Sequence, residues 1–308
     1  MIKKQVENVK KDLTICIEFN CDNFCVSCML KGARDYLKPI CLNEYKKILK
    51  ENLKSDKFSR IILSGAEVTM NPSLKKFIEY AKKLENINHI RIQSNGRKLS
   101  DYKYCKELVN AGVDEFFISI YGPNFEVHER LTNTIGSYKE TFEGINNVNK
   151  LRTVIITNTV ITSLNYQTLP YIVKSLSSFS YLKEIQFWNY LPISVNGDFS
   201  LLESYVKVKP FLIRAIKEGK KNNINIVVKY FPECLLSQYR KYLNNSQPNV
   251  KGIDCFFVDK LSACGFQKSM FCSYKECRGL PLAYKIRYRD MDNKCVRPYV
   301  PSSLSSRE

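Results

Sequence analysis

Leu13-Thr14-Ile15-Cys16-Ile17-Glu18-Phe19-Asn20-Cys21-Asp22-Asn23-Phe24-Cys25-Val26-Ser27-Cys28 is a strand-like run that ends in a cysteine loop. The apolar segment Leu13 to Phe19 predicts a buried strand. The loop after it carries Cys21, Cys25 and Cys28 with spacing C-x3-C-x2-C. That spacing lets one loop wrap three corners of a cubane cluster, and thiolates are the usual ligands of iron–sulfur centres. Three ligands rather than four leave one iron open to bind and activate a substrate. The alternative is a zinc site or three structural thiols. Zinc sites, however, pair C-x2-C units or add histidine, and the only histidines are His89 and His128.

Outward from this stretch, strand-like and helix-like segments alternate. Further strands are expected at Arg60 to Leu63, His89 to Gln93, Glu115 to Ile120, Thr153 to Ile161, Glu184 to Trp188 and Ile224 to Tyr230. Helices are expected at Asn43 to Leu53, Pro72 to Leu84 with Asn71 as N-cap, Asp101 to Ala111 ended by Gly112, Tyr138 to Leu151, Leu169 to Leu176 and Val208 to Asn222. Short apolar strands alternating with helices predict an α/β fold with a parallel sheet covered by helices. About six such units suit a partial (β/α)6 TIM-like barrel, although a flat doubly wound sheet has the same periodicity. In both, chemistry belongs at the C-terminal strand ends. The cysteine loop, Ser64-Gly65-Ala66-Glu67 and Gln93-Ser94-Asn95-Gly96 all follow such ends. Alternation stops near Pro232, so residues 1–231 are read as the barrel and 232–308 as a cysteine-rich extension.

These motifs, in this order, resemble those of the radical S-adenosylmethionine (radical SAM) superfamily. Ser64-Gly65-Ala66-Glu67 looks like the family's Gly-Gly-Glu motif, which holds the methionine part of SAM. Gln93-Ser94-Asn95-Gly96 resembles its Q-T-N-G element. Phe117-Ile118-Ser119-Ile120-Tyr121-Gly122, followed by His128-Glu129-Arg130-Leu131-Thr132, is similar to the fourth-strand region of the peptide-modifying branch. The resemblance runs from Leu13 to Tyr230. It implies a [4Fe-4S] cluster on Cys21, Cys25 and Cys28, with SAM held by Ser64, Gly65, Ala66, Glu67, Gln93, Ser94, Asn95 and Ser119. It also implies reductive cleavage of SAM to a 5′-deoxyadenosyl radical, which takes a hydrogen atom from a substrate carbon. Ser27 departs from the pattern, since the residue before the third cysteine is usually an aromatic near adenine. Trp188 or Asn189, at a later strand end, would supply that contact instead.

The extension is similar to SPASM or twitch domains, which carry an auxiliary [4Fe-4S] cluster. Phe231-Pro232-Glu233-Cys234 is followed by Cys255, Cys264, Cys272 and Cys277-Arg278-Gly279. Cys234, Cys264, Cys272 and Cys277 are the expected ligands, with Cys255 able to take the place of Cys264. A zinc knot or buried thiols are the alternatives. Cys16, Cys41, Cys105 and Cys295 read as core or surface thiols. His128 and Arg130 read as residues of a loop beside the barrel mouth.

The 308 residues carry a net charge of +18 and are 44% hydrophobic, which excludes a disordered chain. Twelve cysteines without a secretion signal, and no apolar run of the roughly 20 residues that cross a bilayer, predict a cytoplasmic protein that does not contact membrane. The charge suits an acidic peptide or RNA, or is a solvated lysine surface. A ribosomally made peptide is the favoured substrate. With about a dozen residues before the first strand, a separate leader-binding partner protein is expected, together with ferredoxin or flavodoxin as electron donor. An RNA-modifying enzyme and a non-enzymatic iron–sulfur or zinc RNA scaffold are the alternatives, and small-molecule substrates such as sugars or nucleosides stay open.

Overall fold

The computed structural model describes residues 11–32, 34, 36–55, 58–192, 198–246, 249–251, 277 and 279–288. Cys255, Cys264, Cys272 and Cys295 lie outside them.

The sheet is built from β1 (Lys11–Glu18), β2 (Phe58–Gly65), β3 (His89–Ser94), β4 (Glu115–Ser119), β5 (Val154–Ile161), β6 (Leu182–Asn189), β7 (Asn225–Lys229) and β8 (Asn249–Lys251). The order is β7-β6-β5-β4-β3-β2-β1-β8, and every pairing is parallel. Parallel neighbours in chain order require a crossover each time. These contain α1 (Leu42–Asn52), α2 (Leu74–Lys82), α3 (Tyr102–Ala111), α4 (Phe125–Thr132), α5 (Ser137–Lys150), α6 (Leu169–Leu176) and α7 (Tyr205–Lys221). A last helix, α8 (Leu282–Tyr288), follows β8. The α/β partial barrel read from the alternation is therefore the observed fold. It has the seven strands that the segments predict, and a short eighth one beside β1.

Alternation along each strand separates two faces. Leu13, Ile15, Ile17, Ile61, Leu63, Ile90, Ile92, Phe116 and Ile118 join the helices in one buried core with Tyr45, Leu49, Phe77 and Leu108. Their neighbours face the concave side, and strand register stacks them in layers. Thr14, Ile62, Arg91, Glu115 and Val154 align across the sheet. Above them run Phe117, Ile156, Glu184 and Asn225, then Ser119, Asn158, Gln186 and Val227, then Val160, Trp188 and Lys229. Deep in this face Arg91 pairs with the fully buried Glu115. The Glu115 carboxyl is held down at about 2 despite burial, because His89 and Arg91 flank it.

Several element ends differ from the sequence reading. Helix α2 starts after Ser73; Asn71 instead accepts the Ser73 N–H at 2.9 Å and donates to the Ile17 carbonyl at 3.2 Å. Helix α7 begins three residues early, at Tyr205, where the Ser204 hydroxyl accepts the Val206 N–H, and it carries Pro210 inside. Helix α4 covers a stretch read as loop. Its Asn124 cap accepts the Val127 N–H at 3.1 Å, and His128, Leu131 and Thr132 are buried. Gly112 ends α3 with φ of 116°, as its position predicts. Beyond Pro232 the described segments return to the barrel. Residues Glu233–Tyr242 form short 3-10 turns, β8 pairs with β1, and Tyr284 of α8 stacks on Tyr205 with ring centroids 3.8 Å apart.

Candidate functional site

The three motifs meet at the C-terminal ends of β1, β2 and β3. The cysteine loop is tied down at both edges. On one side the Phe24 and Val26 N–H groups donate to the Thr132 and Leu131 carbonyls at the end of α4, at 3.0 and 2.9 Å. On the other, Arg97 Nη1 donates to the Asp22 carbonyl at 2.5 Å and Arg34 Nη2 to the Cys21 carbonyl at 2.6 Å. Cys21, Cys25 and Cys28 are all part-exposed. Burial, with the neighbouring thiols and acids, pushes Cys21 up to about 11 and Cys25 up to about 12. The Cys21 and Cys25 thiols resist ionising alone, and a cationic centre is what offsets that cost. The donor set therefore fits an iron–sulfur cluster. No three His, Cys, Asp or Glu side chains among the described residues converge as one metal ion requires. A cubane offers its irons at separate corners, so its thiolates stay apart.

The second motif leaves the end of β2 directly against the first. Gly65 has φ of 143°, and a Cβ there would stand 2.1 Å from the Glu18 carbonyl oxygen, so only glycine fits. Ala66 N–H donates to that same carbonyl at 2.8 Å, and Glu67 N–H to the Asn20 carbonyl at 3.0 Å. Ser64, Gly65 and Ala66 are half-buried, forming a small-residue ledge open to the barrel mouth. The Ser64 hydroxyl donates to Gln93 Oε1.

Glu67 is fully buried. Its Oε1 accepts from Thr69 N–H, the Thr69 hydroxyl and the Ser94 hydroxyl at 3.0, 2.6 and 2.7 Å, and its Oε2 from Asn95 N–H at 2.6 Å. Burial pushes its pKa up and these donors oppose the shift. The acid is thus a hub joining the second and third motifs, with three donors on Oε1 and one on Oε2. Asn95 continues the chain of contacts. Its Nδ2 donates to Asp22 Oδ1 at 2.6 Å and lies 3.9 Å from Cys21 Sγ.

On the concave wall opposite, the Trp188 Nε1 donates to Gln186 Oε1 at 2.8 Å, and the ring lies 5.8 Å from Phe117 and 5.5 Å from Tyr230. Asn189 is engaged elsewhere, donating to the Tyr205 hydroxyl and the Tyr230 carbonyl at 2.9 and 3.2 Å. Of the two residues expected to replace an aromatic at Ser27, Trp188 is the one on the concave face. Burial, with the Cys25 and Cys28 thiols nearby, pushes the Tyr121 phenol well above its ordinary value.

Asn158, between Ser119 and Gln186, escaped the sequence reading. It is 4% exposed, and its Nδ2 has no hydrogen-bond partner among the described residues. A buried amide without a partner costs about 1–3 kcal/mol, which a bound ligand recovers. The signal lay in an asparagine amid the β-branched run Val154–Ile161, where strands disfavour it. His128 is buried on α4 rather than in a loop; its Nδ1 accepts the Tyr121 N–H at 3.3 Å. Arg130 donates to the Leu164 carbonyl. Cys16 and Cys105 are buried and Cys41 is exposed, as the sequence suggested. In the extension, Cys277 Sγ accepts the Glu233 and Gly279 N–H groups, each at 3.4 Å, next in sequence to Cys234.

This fold, with three cysteines at the end of its first strand, defines a class, and the chain belongs to it: the Radical SAM superfamily model matches residues 17–176. Curated relatives are a probable GTP 3′,8-cyclase of Methanopyrus kandleri, 25% identical over 56% of this chain and 55% of that protein, and the GTP 3′,8-cyclase of Aquifex aeolicus, 28% identical over 52% and 51%. The chain spans about half the length of these relatives. Among solved structures, Streptococcus suis SuiB bound to precursor peptide SuiA superposes with a TM-score of 0.62 at 15% identity, over 80% of this chain and 54% of SuiB. The protein anSMEcpe with bound AdoMet and a Kp18Cys peptide gives 0.57 at 18% identity, over 74% and 66%. These structures share the fold. No helix among the described residues is long and apolar enough to cross a membrane.

Proposed function

We propose that this chain is an enzyme that reductively cleaves S-adenosylmethionine and abstracts a hydrogen atom from a ribosomally made peptide. The observation that carries the SAM reading is the junction at Asn95, which ties Glu67 of the second motif to the Cys21 loop of the first. A [4Fe-4S] cluster on Cys21, Cys25 and Cys28 would supply the electron that breaks a C–S bond of SAM. The ledge Ser64-Gly65-Ala66, with Glu67, Gln93, Ser94, Asn95 and Ser119, would hold SAM, and Trp188 would meet its adenine. The concave wall offers the Asn158 amide to a bound group.

The peptide assignment is supported by two peptide-bound proteins of the same fold and by a net charge of +18. A leader-binding partner and a ferredoxin or flavodoxin donor complete it, in a reducing, cytoplasmic compartment. Residues 232–308 would form the auxiliary-cluster extension, with Cys234, Cys264, Cys272 and Cys277 as ligands. The paired N–H donors on Cys277 support a thiolate there. A nucleotide is the second reading, favoured by the two GTP 3′,8-cyclase relatives; RNA rests on charge alone.

The test is 5′-deoxyadenosine formation by the anaerobically reconstituted chain with dithionite, SAM and host extract. Stimulation that protease removes, and that RNase and small-molecule depletion leave, is the expected result. Stimulation by GTP alone, or its loss on RNase treatment, would overturn the peptide assignment.

A further inference from the structure

We propose that Asn95 is a positioning residue that sets the reduction potential of the cluster on Cys21, Cys25 and Cys28, by donating a hydrogen bond to the Cys21 thiolate. The inference rests on the cluster reading above and goes beyond it, to what tunes the cluster.

Asn95 Nδ2 reaches Cys21 Sγ at 3.9 Å, beside the Asn23 N–H at 3.4 Å. Its place is fixed at every other polar atom. The N–H donates to Glu67, Oδ1 accepts the Arg97 N–H at 2.9 Å, and the carbonyl accepts the Thr141 hydroxyl at 2.9 Å. The Phe24 and Val26 bonds to α4 and the Arg34 bond to the Cys21 carbonyl hold the thiol loop against it.

Reduction adds negative charge to the cluster, part of it on sulfur. A donor aimed at a thiolate stabilises the reduced form more than the oxidised one and raises the potential. Asn95 acts at Cys21 and is bonded directly to the SAM-motif acid.

The experiment is an EPR-monitored redox titration of the anaerobically loaded full chain, as wild type and Asn95→Leu. The variant is expected to titrate at a more negative potential, by on the order of tenfold in the reduction equilibrium, about 59 mV for one electron. Leucine is close to asparagine in size and lacks the donor, so a packing role alone would leave the potential unmoved. A wild-type potential in a variant that holds the full iron complement would overturn the proposal. Resonance Raman spectra of the wild type in D2O need no variant; unshifted iron–thiolate modes would equally overturn it. A wild-type chain that binds no iron would instead sink the cluster reading itself.

Discussion

At the residue scale the site depends on contacts that few side chains tolerate. Gly65 is the sharpest case. Its φ of 143° is open to glycine, and the Glu18 carbonyl occupies the space a Cβ would need, at 2.1 Å. Gly65→Ala is expected to cost on the order of 3 kcal/mol, from backbone strain and the forced shift of β1 against β2. It should also break the Ala66 N–H bond to Glu18 that sets the ledge. Urea denaturation of wild type and variant checks this; an unchanged midpoint would contradict the geometry. This glycine was legible as part of a small-residue motif. The physical reason for it was not, because Glu18 and Gly65 are distant in sequence. Glu67 teaches the same lesson: its acid was legible, but the four donors around it come from Thr69, Ser94 and Asn95 and appear only on folding.

At the element scale, α4 is the piece that sequence pattern did not give. Eight residues with Glu126, Glu129 and Arg130 among them look like a polar loop, and the inward set His128, Leu131 and Thr132 is too short for a clear period. Yet α4 clamps the cysteine loop and buries His128. Burial first, then the Arg97 charge, brings the His128 pKa from 6.5 down to about 3. The unfolded chain takes up this proton near 6.5 and the folded chain only near 3. Stability from the neutral imidazole is therefore fully present above pH 6.5 and is lost as pH falls towards 3. Wild type is expected to lose on the order of a few kcal/mol over that window relative to His128→Gln. Denaturation midpoints taken between pH 7 and 5, above most carboxylate titration, isolate the effect. Parallel pH profiles for the two proteins would contradict it.

At the scale of the whole molecule, seven strands and six helices were legible because a parallel α/β sheet writes apolar runs and helical periods in alternation. The helix ends at Ser73 and Tyr205 were not, since the caps depend on local hydrogen bonds that composition does not rank. The approach of β8 to β1, and of Tyr284 to Tyr205, depends on tertiary contacts with no local signature. Asn158 was readable as an odd residue in its strand, but its role emerged only when register set it beside Ser119 and Gln186. What register and crossovers accomplish together is to bring Cys21, Glu67 and Asn95, from three strand ends, into one bonded unit.

The measurement that tests this most directly is release of 5′-deoxyadenosine from SAM by the anaerobically reconstituted, dithionite-reduced chain, beside Cys25→Ala. Wild type is expected to release it and Cys25→Ala to fall to background, a loss of at least about 100-fold, because the cluster loses one of its three thiolates. Equal release from both proteins, or none from a wild type that carries its full iron complement, would contradict the assignment of Cys21, Cys25 and Cys28 as the centre of this enzyme.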